Sequence, residues 1–489
     1  MAKIFGGSGT PNTAVAASKD APRSRLQRLR ARYDAAADAP ENRKHWANAD
    51  ALSPNAALSP NVRRTLRIRS RYEIANNSYA KGIVDTLAHD IIGIGPQLQV
   101  NGPNSEAIEA LWNEWARSVS FADKLRLTVR SAAESGEVFL RFVRNDMVMS
   151  RVQLDLRLYE ADQVAAPGLF APLTNGDGIE FDGFGNPLRY SILKAHPGSG
   201  SSDSLQADPV PASQVIHYFR MDRPGQLRGI PWMTPALPLF AQLRRFTLAA
   251  LTAAETAASI ALAIGTDAPA QDDGQDPEAM DTFDLERGSV TVLPPGYKLS
   301  QVQPAQPTAS YEMFKREILN EMARCLNMPF NIAAGNSSSY NYASGRLDHQ
   351  TYDLSIRVLR AHIEAIILDR LFAEFYREAV AVARALPGSV RLDAAIIPTR
   401  TWIWQSREHV DPAKEASGQQ TRLLNGTTTL RAECAERGDD WREVLAQRAR
   451  ERDELARLGL SLTPISGAPP GTPASDGGKS PDTNEEPKP

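Results

Sequence analysis

The forty-one residues from Gly345 to Ala385 contain no proline and no glycine after the first position. Their apolar residues Leu354, Val358, Ala361, Ala365, Leu368, Phe372 and Phe375 step by alternating four and three, the spacing of a heptad seam. Ile356, Leu359, Ile363, Ile366 and Ile367 widen that seam into a broad apolar face. At 1.5 Å per residue such a helix is about 60 Å long, too long to be ornamental on a small domain. The pattern predicts a central structural element against which the rest of the chain packs.

Shorter periodic segments surround it. Apolar residues at helical spacing predict a helix over Arg67 to Ile92, stopped by Gly93 and Gly95-Pro96, then helices over Asn104 to Ser118 and Asp123 to Gly136. At Glu137 the period changes to two. Val138, Leu140 and Phe142 alternate with Phe139, Arg141 and Val143, which is strand chemistry. A hairpin is expected from Ile179–Phe181 and Leu188–Leu193 around a Gly-rich turn, followed by a polar loop Pro197–Pro211 and a strand Val215–Phe219. The fold class is therefore α+β.

Downstream, an Ala-rich helix is expected from Pro235 to Ile264, with small side chains that let helix backbones approach closely, as between copies of the same chain. Thr266–Thr308 reads as loop and short strand, including Ser289–Leu293, and Ser310 is a candidate N-cap for a helix ending near Pro329. Arg431–Leu458 reads as one last charged helix. Seven prolines and five glycines in Gly459–Pro489 predict a disordered tail.

Composition excludes several classes. The 489 residues carry a formal charge of −3, and the two cysteines, Cys325 and Cys434, allow neither a disulfide framework nor a Cys-based metal cluster. The first residues lack the apolar core of a secretory signal, so synthesis in a reducing cytoplasm is expected. Phe246–Ile264 is long enough to span a bilayer, but its apolarity is mostly Ala and Thr, with Glu255 near its middle. That disfavours the reading as a membrane-embedded assembly protein. Charge is unevenly placed: twelve Arg or Lys between Arg23 and Arg71 face four acids, an excess of +8, so the remainder carries −11. A basic arm on an acidic body points to a polyanion or an acidic neighbouring subunit.

Catalytic constellations fail on context. Gly478-Lys479-Ser480 has Pro473 where a phosphate loop needs glycine, and Pro481-Asp482 with Glu486-Pro487-Lys488 spells a nuclease-like set inside the Pro/Gly-rich tail. His362-Ile363-Glu364 lacks the deaminase's cysteine partners, and the seven histidines form no metal-ligand spacing. Cys325 lies on an apolar helix face, as a structural thiol would. The reading expects no catalytic residue, no metal and no cofactor. The competing reading is a DNA-processing enzyme of phage origin, a metal-dependent nuclease.

Several motifs in order carry a resemblance. Arg71-Tyr72-Glu73 with Asn76-Asn77, Lys81-Gly82-Ile83-Val84, Ile91-Ile92-Gly93-Ile94-Gly95, Gly136-Glu137-Val138-Phe139-Leu140-Arg141 and Leu158-Tyr159-Glu160-Ala161-Asp162-Gln163-Val164 come first. His217-Tyr218-Phe219-Arg220 with Asp222-Arg223-Pro224-Gly225-Gln226-Leu227-Arg228-Gly229-Ile230-Pro231-Trp232, and Asn341-Tyr342-Ala343-Ser344-Gly345-Arg346, complete the series. From Arg67 to Arg377 the chain resembles the portal proteins of lambda-like tailed bacteriophages. Ala343 and Gly345 are mild departures from the family's Asn-Tyr-Ser-Ser-x-Arg element.

The resemblance implies a homo-oligomeric ring, typically a dodecamer, at one capsid vertex of the virion. Double-stranded DNA would be packaged and ejected through it. The terminase large subunit, head–tail adaptor proteins, and major capsid and scaffold proteins are the implied partners, with no membrane. It also implies a layout: basic arm 1–66, α+β wing 67–234, stem helix 235–265, clip 266–309, second stem helix 310–328, channel loop 329–344, long wing helix 345–398, crown 399–458 and tail 459–489. DNA-channel candidates are then Asn336, Ser337, Ser338, Ser339, Tyr340, Asn341 and Tyr342, and clip candidates are Asp272, Asp273, Asp276, Glu278 and Asp281. Arg63, Arg64, Arg67, Glu255 and Arg346 are the candidate subunit contacts. Asp222–Gln226 reads as a structural turn ahead of the stem.

Overall fold

The structure, a computed structural model, describes residues 44–166, 177–259, 263–266, 297–300, 310–338, 340–385, 392–393, 395–405 and 412–460. After one turn at Pro54–Ala57, helices α1 (Pro60–Asn76) and α2 (Ser78–Ile92) occupy the segment expected to be one helix. The break is Asn77, whose backbone is extended and whose side-chain oxygen accepts from the amides of Tyr79 and Ala80. An internal N-cap interrupts an otherwise continuous apolar period. Strand β1 (Gln97–Val100), α3 (Ser105–Ser118) and α4 (Phe121–Ser135) follow.

Gly136, at φ +92°, turns α4 into β2 (Glu137–Arg144), which runs antiparallel between β3 (Leu154–Glu160) and β7 (Val215–Phe219). The alternation of β2 is fully used. Val138 and Leu140 enter the main core, while Phe139 enters a second, smaller core with Tyr159, Tyr190 and Val215. A second sheet has the order β4 (Ile179–Phe181), β5 (Pro187–Leu193), β6 (Ala207–Pro211). β6 lies inside the segment expected to be a polar loop. Its prolines 209 and 211 sit on the sheet edge, where a missing donor is tolerated.

α5 (Leu237–Ser259) stops short of the expected Ile264, because Ala263–Thr266 form β8, antiparallel to β9 (Tyr297–Ser300). The expected strand Ser289–Leu293 lies outside the described residues. α6 (Ser310–Arg324) begins with Ser310 as a helical residue rather than as its cap. Short α7 (Phe330–Ala334) precedes α8 (Tyr342–Ile363), a wide π-turn (Glu364–Leu368) and α9 (Asp369–Ala385).

The long helix exists, but its buried face differs from the heptad seam. Leu354 and Val358 are 59% and 63% exposed, while Tyr352, Ile356 and Ile363 are buried; beyond the π-turn Leu368, Phe372 and Phe375 are buried as expected. Counted from Ile363, the buried positions Ile367, Leu368, Leu371, Phe372 and Phe375 fall at steps of 4, 5, 8, 9 and 12, as a set one residue beyond the 3, 4, 7, 8 and 11 of an ordinary helical face. The wide turn absorbs that residue.

Strand β10 (Arg400–Ile403) returns to pair antiparallel with β1. Trp402 thereby joins Trp112, Trp115, Phe121, Phe372 and Phe375 in a cluster whose ring centroids lie 4.8–6.3 Å apart, at the centre of the main core. α10 (Pro412–Leu424), α11 (Leu430–Arg437) and α12 (Trp441–Arg457) complete the chain. The expected single helix Arg431–Leu458 is thus two, divided at Gly438 (φ +83°) and restarted by an Asp440 N-cap. No helix among the described residues is long and apolar enough to cross a membrane.

Candidate functional site

The candidate DNA-facing segment is a short loop between two helices. Of the expected stretch 329–344, Phe330–Ala334 is helical and Tyr342 already belongs to α8, so the open loop is Gly335–Asn341. Local hydrogen bonds fix its shape. Gly335, at φ +63°, caps α7; Asn336 Oδ1 accepts from the Ser338 amide at 2.9 Å; the Tyr340 amide donates to Ser337 O at 3.1 Å. Asn341 caps α8 by accepting from the Ser344 amide at 2.8 Å. An Asn331–His349 contact at 3.0 Å ties α7 to α8 beneath the loop. Asn336, Ser337, Ser338 and Asn341 are exposed, whereas Tyr340 is half-buried, 3.7 Å from where a side chain on Gly345 would begin. Ser339 and the Tyr342 side chain lie outside the described residues. The segment offers amide and hydroxyl groups and no cation.

The candidate subunit contacts divide. Arg64 and Arg346 are exposed, as is Glu255. Arg63 and Arg67 are not available to a neighbour, because both are buried in ion pairs within the chain. Arg63 meets Asp177 at 2.9 Å and donates to Leu58 O; Arg67 meets Asp162 at 2.9 Å. They lie on the face of α1 that holds Ser70 and Ile74, one turn apart, which is why they turn inward together. Arg71 extends the series to Asp162 and Glu160. The clip candidates Asp272, Asp273, Asp276, Glu278 and Asp281 lie outside the described residues.

These arginines lead to a node that the sequence did not announce. Glu137, fully buried at the start of β2, accepts from Arg228 Nε at 2.9 Å, from His217 Nε2 at 2.9 Å and from the Gly229 amide at 3.0 Å, with Arg67 3.8 Å away. Arg228 also donates to the carbonyls of Asp177, Ala161 and Val164. Burial pushes the Glu137 carboxyl up, but the charge of Arg228 and the contact with His217 outweigh it, holding the group well below the usual carboxylate range. Burial also holds the His217 imidazole below its ordinary value against the opposing pull of Glu137. The ring is stacked between Phe139 and Phe219, with centroids at 4.3 and 4.4 Å. One carboxylate thus joins α1, β2, β7 and the 226–229 turn. Gln226 closes that turn by donating to Arg228 O and accepting from the Asp222 and Arg223 amides, the structural role expected of it.

Among the described residues, Glu160, Asp162 and His196 place ligand atoms within 4.8 Å of one another. Arg67 and Arg71 already neutralise that pair of carboxylates, so a divalent cation would have to displace both guanidiniums. Burial pushes the Cys325 thiol up to about 11, and its Sγ donates to Met322 O, so it is a packed thiol rather than a nucleophile.

Comparison with known proteins shows the family of the chain. The chain is 24% identical over 434 residues to a probable portal protein of Halomonas phage phiHAP-1, covering 81% of each chain. It is 23% identical over 474 residues to portal protein B of Escherichia phage lambda, covering 85% of this chain and 88% of that one. A solved structure of the virion of a native gene transfer agent particle aligns with 81% of this chain and 94% of its own, at 14% identity and a TM-score of 0.45. The sequence profile described as phage portal protein, lambda family, matches residues 40–360. The chain belongs to the lambda family of phage portal proteins, a structural family and not an enzymatic one.

Proposed function

We propose that copies of this chain, about twelve as a cyclic assembly, close into a ring at one capsid vertex of the virion, and that double-stranded DNA passes through its centre during packaging and ejection. Assembly takes place in the host cytoplasm with major capsid and scaffold proteins. The segment 266–309 is the clip that receives the terminase large subunit and later the head–tail adaptor proteins, through Asp272, Asp273, Asp276, Glu278 and Asp281. Arg64, Glu255 and Arg346 face neighbouring copies. The energy for packaging comes from the docked motor.

The observation that carries the DNA part of this reading is the loop Gly335–Asn341. Its exposed groups hydrogen-bond without fixed positive charge, so they touch phosphate or water without releasing counterions. A passage that must let DNA slide in both directions gains nothing from tight phosphate contacts. The test is S337K/S338K. DNA passage through assembled particles slows and becomes strongly salt-dependent if this loop borders the channel; unchanged packaging at every salt concentration removes the loop from the channel.

A further inference from the structure

Two faces of the chain, on different helices, are apolar, exposed and opposite in charge. On α8 the residues Leu347, Leu354 and Val358 are 65%, 59% and 63% exposed, on the side of the helix opposite buried Tyr352, Ile356 and Ile363. They form a ridge three turns long. Arg346 and Arg357, eleven residues apart and so three turns apart, run along one edge of it, and both are exposed. On α6 the outer side carries a groove of about 740 Å³. Its wall is Phe314, Ile318, Cys325 and Pro235, and Glu317 and Glu321, one turn apart and exposed, line it, with Arg324 at one end. None of Glu317, Glu321, Arg346 and Arg357 has an ion-pair partner among the described residues.

We propose that the α8 ridge of one copy seats in the α6 groove of the next, with Arg346 and Arg357 meeting Glu317 and Glu321. This inference rests on the ring reading and names the surfaces that make the ring. The occupant is a second copy because an apolar ridge edged by arginines and an apolar groove lined by glutamates are opposite in charge and belong to the same sequence. Two different patches on one chain make a head-to-tail contact, the kind that generates a ring when the rotation closes. The same pairing explains why the sequence shows a heptad seam that the single chain leaves half uncovered: before the π-turn the seam belongs to the neighbour, and after it to the chain's own core.

Charge reversal tests it, using full-length protein and native mass spectrometry. E317R/E321R and R346E/R357E each raise the concentration for half-assembly about tenfold or more, since like charges then face each other at every junction. An equimolar mixture of the two restores rings, because an alternating ring contains only junctions in which both sides are native or both reversed. Either variant assembling alone like the parent chain overturns the proposal and leaves the ring reading standing. Failure of the mixture, with both variants melting like the parent, also overturns it. A parent chain that forms no ring overturns both. Independently, Leu354→Cys with Asn320→Cys, the latter on the groove lining, in a chain also carrying Cys325→Ser and joined by a short bifunctional thiol reagent, gives a ladder of chain multiples; monomer alone contradicts the contact.

Discussion

Arg228 Nε lies 2.9 Å from both carboxylate oxygens of Glu137, and the two side chains are 1% and 0% exposed. A buried pair of this kind contributes little over an apolar substitute, but losing one member leaves an uncompensated charge. The Glu137→Gln change is therefore expected to cost about 3–5 kcal/mol in urea unfolding. Arg228→Lys costs a similar amount, because one ammonium cannot replace a guanidinium that donates to Glu137 and three carbonyls. Parent-like midpoints for both would show that the node does not hold α1, β2 and β7 together.

The node is packed tightly enough to dictate glycine. A side chain on Gly229 would begin 2.1 Å from Gly136 O, and one on Gly136, already at φ +92°, would begin 2.4 Å from the Ile230 backbone. Both →Ala changes abolish soluble folded protein. Gly82 is the contrast, sitting exposed within α2 with nothing within 4 Å. Gly82→Ala raises stability by about 0.5–1 kcal/mol, through helix propensity alone. Thermal melting separates the three.

Acid sensitivity follows from the same residues. The His217 imidazole is held below its ordinary value of about 6.5, so the native chain binds fewer protons there than the unfolded chain. The stability this gives is present above about pH 6.5 and is lost as pH falls. Glu137, also held down, adds a second loss below about pH 4.5. His217→Gln should flatten the upper window and leave the lower one. An unchanged profile of melting temperature against pH between about 5 and 6.5 would assign that loss to other groups.

The π-turn predicts an unusual tolerance. Removing Ala365, which is exposed inside the wide turn, brings Ile367, Leu368, Leu371 and Phe372 into ordinary helical register with Ile363. Deleting Arg357 instead separates Tyr352 and Ile356 from Leu359 and Ile363. The first deletion melts within a few degrees of the parent, and the second fails to fold. Equal loss in both would mean that the wide turn is required for itself.

Most elements were legible in the sequence because their apolar period is clean. α3, α4, β2, the β4–β5 hairpin and β7 begin and end within two residues of expectation. Three failures share a cause, a local device that shifts register without changing composition. Asn77 caps a new helix inside a continuous apolar pattern, the π-turn adds one residue to a heptad count, and Gly438 restarts a charged helix. The inward turn of Arg63 and Arg67 was hidden for a different reason. Their partners Asp162 and Asp177 lie about a hundred residues away, so both arginines read as surface residues meeting a neighbouring subunit. Gly136-Glu137 and Arg228-Gly229 stood out as motifs, but their meeting depends on tertiary structure.

The central claim is that this chain builds a ring. Native mass spectrometry of the purified full-length protein, with negative-stain images, tests it most directly. The account predicts a closed assembly of about twelve copies of the 53.4 kDa chain, with a central opening wide enough for duplex DNA. A monodisperse monomer or dimer at high concentration, across a range of salt, would contradict it.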